Sequence, residues 1–199
     1  MKESYLTKAF RKTVHERFPK QEAILNAAFE KRLGALRLEH AGASKEQRRH
    51  LESQILPGIA IYETLQTVMS KNEALNTVHG YVEERAYRTK KTFLRLLRIP
   101  GLYKKVPGIF ARQTPKFFRV SAGFEANEIQ TAGGVWRIDM TKCPYHDECV
   151  RCGCPELCQC FCDSDDITYD GLHPKLLWHR TKTLGRGGDC CDFCIKAIK

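Results

Sequence analysis

The residues best suited to chemistry are the ten cysteines, all in the last third of this 199-residue chain. Seven fall within CPYHDECVRCGCPELCQCFC, residues 143–162, and three more in GRGGDCCDFCIK near the C-terminus. Thiols at this density could staple a domain, hold a metal or cluster, attack an electrophilic carbon, or fill a core. Cys149/Cys152 and Cys191/Cys194 have the C-x-x-C spacing of a four-thiolate zinc site. Side chains three apart meet on a helix but point to opposite faces of a strand, so the second pair is split if CDFCIKAI is extended. Cys149, Cys152, Cys158 and Cys162 are therefore the metal alternative, on helices, and the expectation is that no metal or other cofactor is held. The simpler reading of Cys149, Cys152, Cys154 and Cys160 is that they are small buried hydrophobes. In the closing strand Cys191, Phe193 and Ile195 share one face, which makes Cys191 either a core residue or a nucleophile beside the glycine turn, whose amides suit an anion.

These residues need a scaffold, and the composition provides for one. With 42% apolar residues the chain can bury a core without disulfides. The start, MKESYLTKAFRKTVHERF, has no apolar signal segment, and no apolar run approaches a bilayer span. A cytoplasmic location and free thiols are expected. The net charge of +10 is uneven. Residues 1–116 hold 23 Lys+Arg against 11 acids, and residues 117–199 hold 10 against 12. RTKKTFLRLLR (88–98) is the best stretch for a nucleic-acid partner, but the basic residues are spread over several helices with no binding motif, so a solvated amphipathic face is preferred. Neither a nucleic-acid nor a membrane partner is expected. The sequence leaves the oligomeric state open.

Residues 1–98 read as helices. Ile24, Leu25, Ala28, Phe29 and Leu33 form one stripe, and Ser44 opens SKEQ, a capping box followed by a helical run to Ile55. Pro57-Gly58 is expected to break that run, a helix to cover about Ala60–Val78, His79-Gly80 to stop it, and a further helix to run from Tyr81 to Arg98. Pro100–Pro115 reads as a connector. Beyond it VWRIDM alternates as a strand, 145–152 and 155–169 are helical with Pro144 and Pro155 in their first turns, and KLLWHRTKTL and CCDFCIKAI form a hairpin around Gly185–Gly188. The fold class is α+β: a helical region, 1–116, and an antiparallel region, 117–199, making one compact unit. His15, His40 and His50 read as exposed on charged helices, and His79 as a helix terminus.

Taken together, the C-terminal motifs resemble the L-2-amino-thiazoline-4-carboxylic acid hydrolase family. The resemblance rests on Cys143-Pro144-Tyr145, Pro155-Glu156-Leu157, Cys162 with Asp165 and Asp166, Arg180 through Leu184, and Gly187 through Phe193, with LPGIAIYETL (56–65) upstream. Cys194 departs from the pattern, which has a basic residue there, and Cys152 and Cys160 are additional. The resemblance implies a hydrolase that opens a cyclic isothiourea acid to a carbamoyl-cysteine. Such a reaction needs a nucleophile, acid–base help and a carboxylate anchor. The candidates are Cys191 as nucleophile, with water the rival, and Asp166 or Asp192 as base. Arg180, Thr183 and Gly187 are the candidates for binding substrate. A pocket is expected between the Trp136–hairpin sheet and the helices of 145–169. The alternative is a non-catalytic, cysteine-rich metal-binding or redox- and ligand-sensing protein.

Overall fold

The protein is described by a computed structural model over residues 3–128 and 133–198. α1 (Tyr5–Arg17) starts at Ser4, whose hydroxyl accepts from the Thr7 amide, and buries Leu6, Phe10 and Val14 on one face. α2 (Glu22–Glu39) buries Leu25, Phe29, Leu33 and Leu36 at the same periodicity. α3 (Lys45–His50) is capped by Ser44, which accepts from the Gln47 amide at 2.9 Å.

The expected break at Pro57-Gly58 does not occur. The chain stays helical through a widened π turn, Leu51–Ile55, directly into α4 (Leu56–Leu65). The Leu56 amide reaches back five residues to the Leu51 carbonyl. Proline lacks an N–H, and its ring collides with the carbonyl four residues back in a regular helix, so a locally wider turn accommodates it. Every residue of α4 except Glu63 is buried, which makes it the central helix of the N-terminal half.

The expected helix stop at Gly80 is also absent. The chain breaks earlier, and α5 (Lys71–Leu96) runs 26 residues straight through Gly80. Its start is a full capping box, in which the Ser70 hydroxyl accepts from the Glu73 amide and the Glu73 carboxylate accepts from the Ser70 amide. A mid-helix glycine costs about 1 kcal/mol relative to alanine, which a long helix packed along its neighbours absorbs. The presumed connector is helical too: a 3₁₀ turn (Leu102–Lys105) leads into α6 (Val106–Phe117). Pro107 occupies the first turn, where its missing N–H is not needed, and Pro115 the last.

The second half holds β1 (Glu125–Glu128), β2 (Val135–Lys142), α7 (Pro144–Arg151), α8 (Pro155–Tyr169), β3 (Leu176–His179) and β4 (Cys191–Ala197). The strands form one antiparallel sheet in the order β1-β2-β4-β3. Register sets its faces. Trp136 pairs with Ile195, Ile138 with Phe193 and Met140 with Cys191, so these six share the face turned to the helices. Arg137, Asp139, Asp192 and Cys194 lie on the other face. One core cluster joins α1, α2, α4 and α5 to Cys149, Leu157, Cys158 and Phe161 of α7 and α8. A second, around Trp136, Ile138, Leu176 and Ile195, lies under α6. All ten cysteines are free.

Candidate active site

A cavity of about 230 Å³ lies between the inner face of β2 and β4, the side of α8, and a cover from α6 and the segment after it. Trp136, Ile138, Met140, Cys191 and Phe193 come from the sheet, and Phe161, Cys162, Ser164, Asp165 and Tyr169 from α8. Phe110, Phe118 and Phe124 close it from above, and His50, Gln54 and Tyr145 close one end. Nearly half of this lining is Phe, Tyr or Trp, so charge inside it is poorly screened.

Arg180 is the cavity's cation. Its side chain is only 2% exposed. Nη2 donates to the Asp166 carboxylate at 2.5 Å and to the Cys162 carbonyl at 2.9 Å. The guanidinium lies over the Phe193 ring, 5.4 Å from its centroid. Nη1 is buried and has no hydrogen-bond partner, with the nearest acid, Asp165, 3.6 Å away. A buried guanidinium N–H left unsatisfied is costly, and a ligand oxygen in the cavity would satisfy it. Burial alone would pull the Arg180 pKa down, but Asp165 and Asp166 hold it up.

Asp165 and Asp166 are neighbours with different environments. Asp166 accepts from Arg180 and from the Trp178 indole N–H at 2.8 Å, so it fixes both side chains and lies outside the cavity lining. Asp165 lines the cavity, and removal from bulk water pushes its carboxyl up to about 7, with Arg180 opposing and Asp166 adding to the rise. Its side chain still keeps 39% of its surface open, on the cavity side, so a ligand that expels water there would raise it further.

The far end is a neutral polar relay. His50 Nε2 lies 3.2 Å from the Phe117 carbonyl, which can only accept, so Nε2 carries the proton and Nδ1 is the acceptor. The Tyr145 hydroxyl, 3.4 Å from Nδ1, then donates to it and accepts from Gln54 Nε2 at 3.2 Å. Burial lowers the His50 pKa, which keeps the ring neutral. The expectation that His50 is a solvent-exposed helix residue is overturned. His40 is not free either: it meets Glu148 at 3.1 Å across the α2–α7 contact.

The thiols divide by position. Cys143, Cys162 and Cys191 line the cavity, and none is activated. Burial raises Cys143. The thiol contact with Cys158, 3.9 Å away, and burial raise Cys162. Burial raises Cys191 to about 11 although the Leu184 amide donates to its sulfur at 3.3 Å. The thiol pushed down is Cys158, to which Cys149 and Cys162 can both donate, and it sits behind the lining. Cys152 faces Arg32, at 4.0 Å, rather than Cys158 and Cys162. Among the described residues, no three His, Cys, Asp or Glu side chains gather as a metal would require.

The remaining sequence candidates lie apart from the cavity. Asp192 is on the opposite sheet face, where it accepts from the Thr181 amide at 2.9 Å, the Lys182 amide at 2.8 Å and the Thr181 hydroxyl. Burial would raise its pKa, but these bonds bring it down. Thr183 is 1% exposed with an unpartnered hydroxyl, outside the lining. The amides of Arg186, Gly187 and Gly188 bond to the Thr183 and Leu184 carbonyls within their own turn. Gly187 has φ +79°, the backbone reason for glycine there. Thus the cavity gathers Arg180 and Cys191 of the proposed set and adds Asp165, His50 and Tyr145.

The α+β fold thus encloses a cavity with aromatic walls, polarised by one arginine and one elevated carboxyl. The family model described as L-2-amino-thiazoline-4-carboxylic acid hydrolase matches residues 48–195, and the chain belongs to this family. The match starts inside α3, so it takes in His50, Gln54 and the whole cavity lining and leaves out α1 and α2. No curated protein and no solved structure shows a significant match to the chain.

Proposed function

We propose that the protein is a hydrolase that opens a small cyclic isothiourea acid of the 2-amino-thiazoline-4-carboxylate type, using water rather than a thiol as nucleophile. The observation that carries this reading is the buried, unpartnered Nη1 of Arg180 beside Asp165, whose pKa lies near 7. Nη1 supplies a charge-assisted hydrogen bond to the substrate carboxylate. Asp165, ionised in part at neutral pH, takes a proton from water as its oxygen adds to the carbon between the ring sulfur and nitrogen, and the C=N electron pair moves to nitrogen. The tetrahedral adduct then collapses. Its hydroxyl becomes the carbonyl and gives its proton to that nitrogen, one ring bond, to sulfur or to nitrogen, breaks, the leaving atom receives the proton from Asp165, and a carbamoyl-cysteine results. No electrons leave or enter, so the reaction needs no redox cofactor. The aromatic walls exclude bulk water and strengthen both contacts.

The test is incubation of the purified protein with L-2-amino-thiazoline-4-carboxylate, following loss of the ring and appearance of the carbamoyl-cysteine by mass spectrometry. Turnover that disappears in Asp165→Asn supports the reading. Neither turnover nor a thermal shift with this acid would sink it.

A further inference from the structure

Between Glu84 and Glu125 the chain has no acidic residue and eleven Lys and Arg residues. Among the described residues only Arg88 of the eleven is in an ion pair, with Glu84 one turn back in α5. The charge is concentrated at the elbow joining α5 to α6, where Arg95, Arg98, Lys104 and Lys105 are all exposed. The same elbow leaves three aliphatic side chains in solvent: Leu94, Leu96 and Ile99 are 38%, 48% and 55% exposed. The elbow is anchored from within, because Leu97 and Tyr103 are buried in the cluster of Trp136 and Leu176. Gly101, at φ +75°, turns the chain into the 3₁₀ turn that carries Lys104 and Lys105. Four cations and three aliphatic side chains thus project from twelve consecutive residues.

Unpaired cations alone would fit any polyanion. The aliphatic side chains narrow the choice. Nucleic acid presents phosphates, sugars and bases, and proteins that bind its single strands add exposed aromatic rings to their cations, not aliphatic side chains. The elbow's one ring, Tyr103, is buried. An anionic lipid leaflet receives both components, cations at the headgroups and leucine or isoleucine at the acyl boundary. Docking of this kind is peripheral, since no helix among the described residues is long and apolar enough to cross a bilayer.

We propose that the α5–α6 elbow is a docking surface for an anionic phospholipid bilayer, with Arg95, Arg98, Lys104 and Lys105 on the headgroups and Leu94, Leu96 and Ile99 inserted between them. Each Lys or Arg near an anionic leaflet contributes about fivefold to the partition coefficient. The four together then contribute roughly six-hundred-fold, enough to separate bound from free protein.

The experiment is co-sedimentation of the full chain with vesicles of phosphatidylcholine alone or of equal parts phosphatidylcholine and phosphatidylglycerol, over a range of salt. Binding is expected only to the anionic vesicles and is expected to weaken with salt. The variant Arg95→Glu/Arg98→Glu/Lys104→Glu/Lys105→Glu should lose it while melting as the wild type does, because all four side chains are exposed. The variant Leu94→Ser/Leu96→Ser/Ile99→Ser should lose the part that survives at high salt. Absence of binding to anionic vesicles at low salt, or wild-type binding by the charge-reversed variant, overturns the proposal. So does tighter binding to a single-stranded RNA oligomer than to vesicles, accompanied by no effect of the serine variant on either.

Discussion

Arg180 Nη1 stands 3.6 Å from Asp165, too far for a hydrogen bond, while Nη2 of the same guanidinium is held at 2.5 Å by Asp166. One carboxylate fixes the arginine and the other is left beside its unused donor. If that donor receives a substrate carboxylate, Arg180→Ala loses a charge-assisted hydrogen bond of about 1.5–3 kcal/mol, or roughly one to two decades in affinity. Arg180→Lys, unable to reach Asp166 and the ligand as a fork, should recover only part of it. Isothermal titration with a non-hydrolysed carboxylate analogue checks this, and an unchanged affinity in Arg180→Ala would place the carboxylate elsewhere.

The two adjacent aspartates should fail differently. Asp165→Asn should remove turnover and leave ligand affinity nearly intact, whereas Asp166→Asn should weaken binding by freeing Arg180 and Trp178. With Asp165 as base, kcat/KM should rise with pH and level off above about 7. Stability carries the opposite sign. Asp165 has a folded pKa raised above its unfolded value, so the native state binds the extra proton and stability falls as pH rises from about 4 toward 7. Asp165→Asn should flatten that part of the melting-temperature profile. A profile with the same slope in the variant would show that another group titrates there.

The difference between Asp165 and Asp166 marks how far the sequence could be read. Both lie within one turn of Cys162, so helical spacing brings either to the same side, and only the packing of α8 against the sheet selects Asp165 for the cavity. The alternation of Trp136, Ile138 and Met140, the helices opened by Pro144 and Pro155, and the closing hairpin were all legible, because period and proline position act locally. α6 was not, since its prolines at 107 and 115 sit in the first and last turns of a helix yet look like loop punctuation. β1, reading EANE, is a polar edge strand with no β-branched residue to signal it. His50 joins the cavity from more than a hundred residues before Phe161, and nothing in its basic run, KEQRRH, marks it as half-buried.

Cys191 offers a direct check on water as the nucleophile. With a pKa pushed up to about 11, about one molecule in ten thousand carries the thiolate at pH 7. Cys191→Ala should therefore keep turnover within about tenfold of the wild type, with a stability loss of about 0.5–3 kcal/mol from the emptied core position. Trapping a covalent adduct on Cys191 during turnover, seen as a mass increase on the peptide containing Gly187–Phe193, would restore the thiol mechanism.

Gly58 ties the central helix to the cavity. A Cβ built there would lie 2.6 Å from Cζ and 3.3 Å from Cε1 of Phe161, whose ring lines the cavity. Replacing a helical glycine by alanine ordinarily gains about 1 kcal/mol. Here the added methyl must displace a buried ring, and overpacking of that kind costs about 1–3 kcal/mol. The contact is closer than any real Cβ tolerates, so the cost should exceed the gain. Gly58→Ala is expected to lower the melting temperature and to push Phe161 toward Tyr145, which it meets at 5.4 Å between ring centroids. The cavity would shrink from the Tyr145 side, and ligand affinity should fall although the substituted residue touches no ligand. Phe161→Leu in the Gly58→Ala background relieves the clash and should recover much of the stability. A Gly58→Ala protein that melts at or above the wild-type temperature would mean that the ring has room to move, and the cavity's floor would then not depend on the absence of a side chain at residue 58.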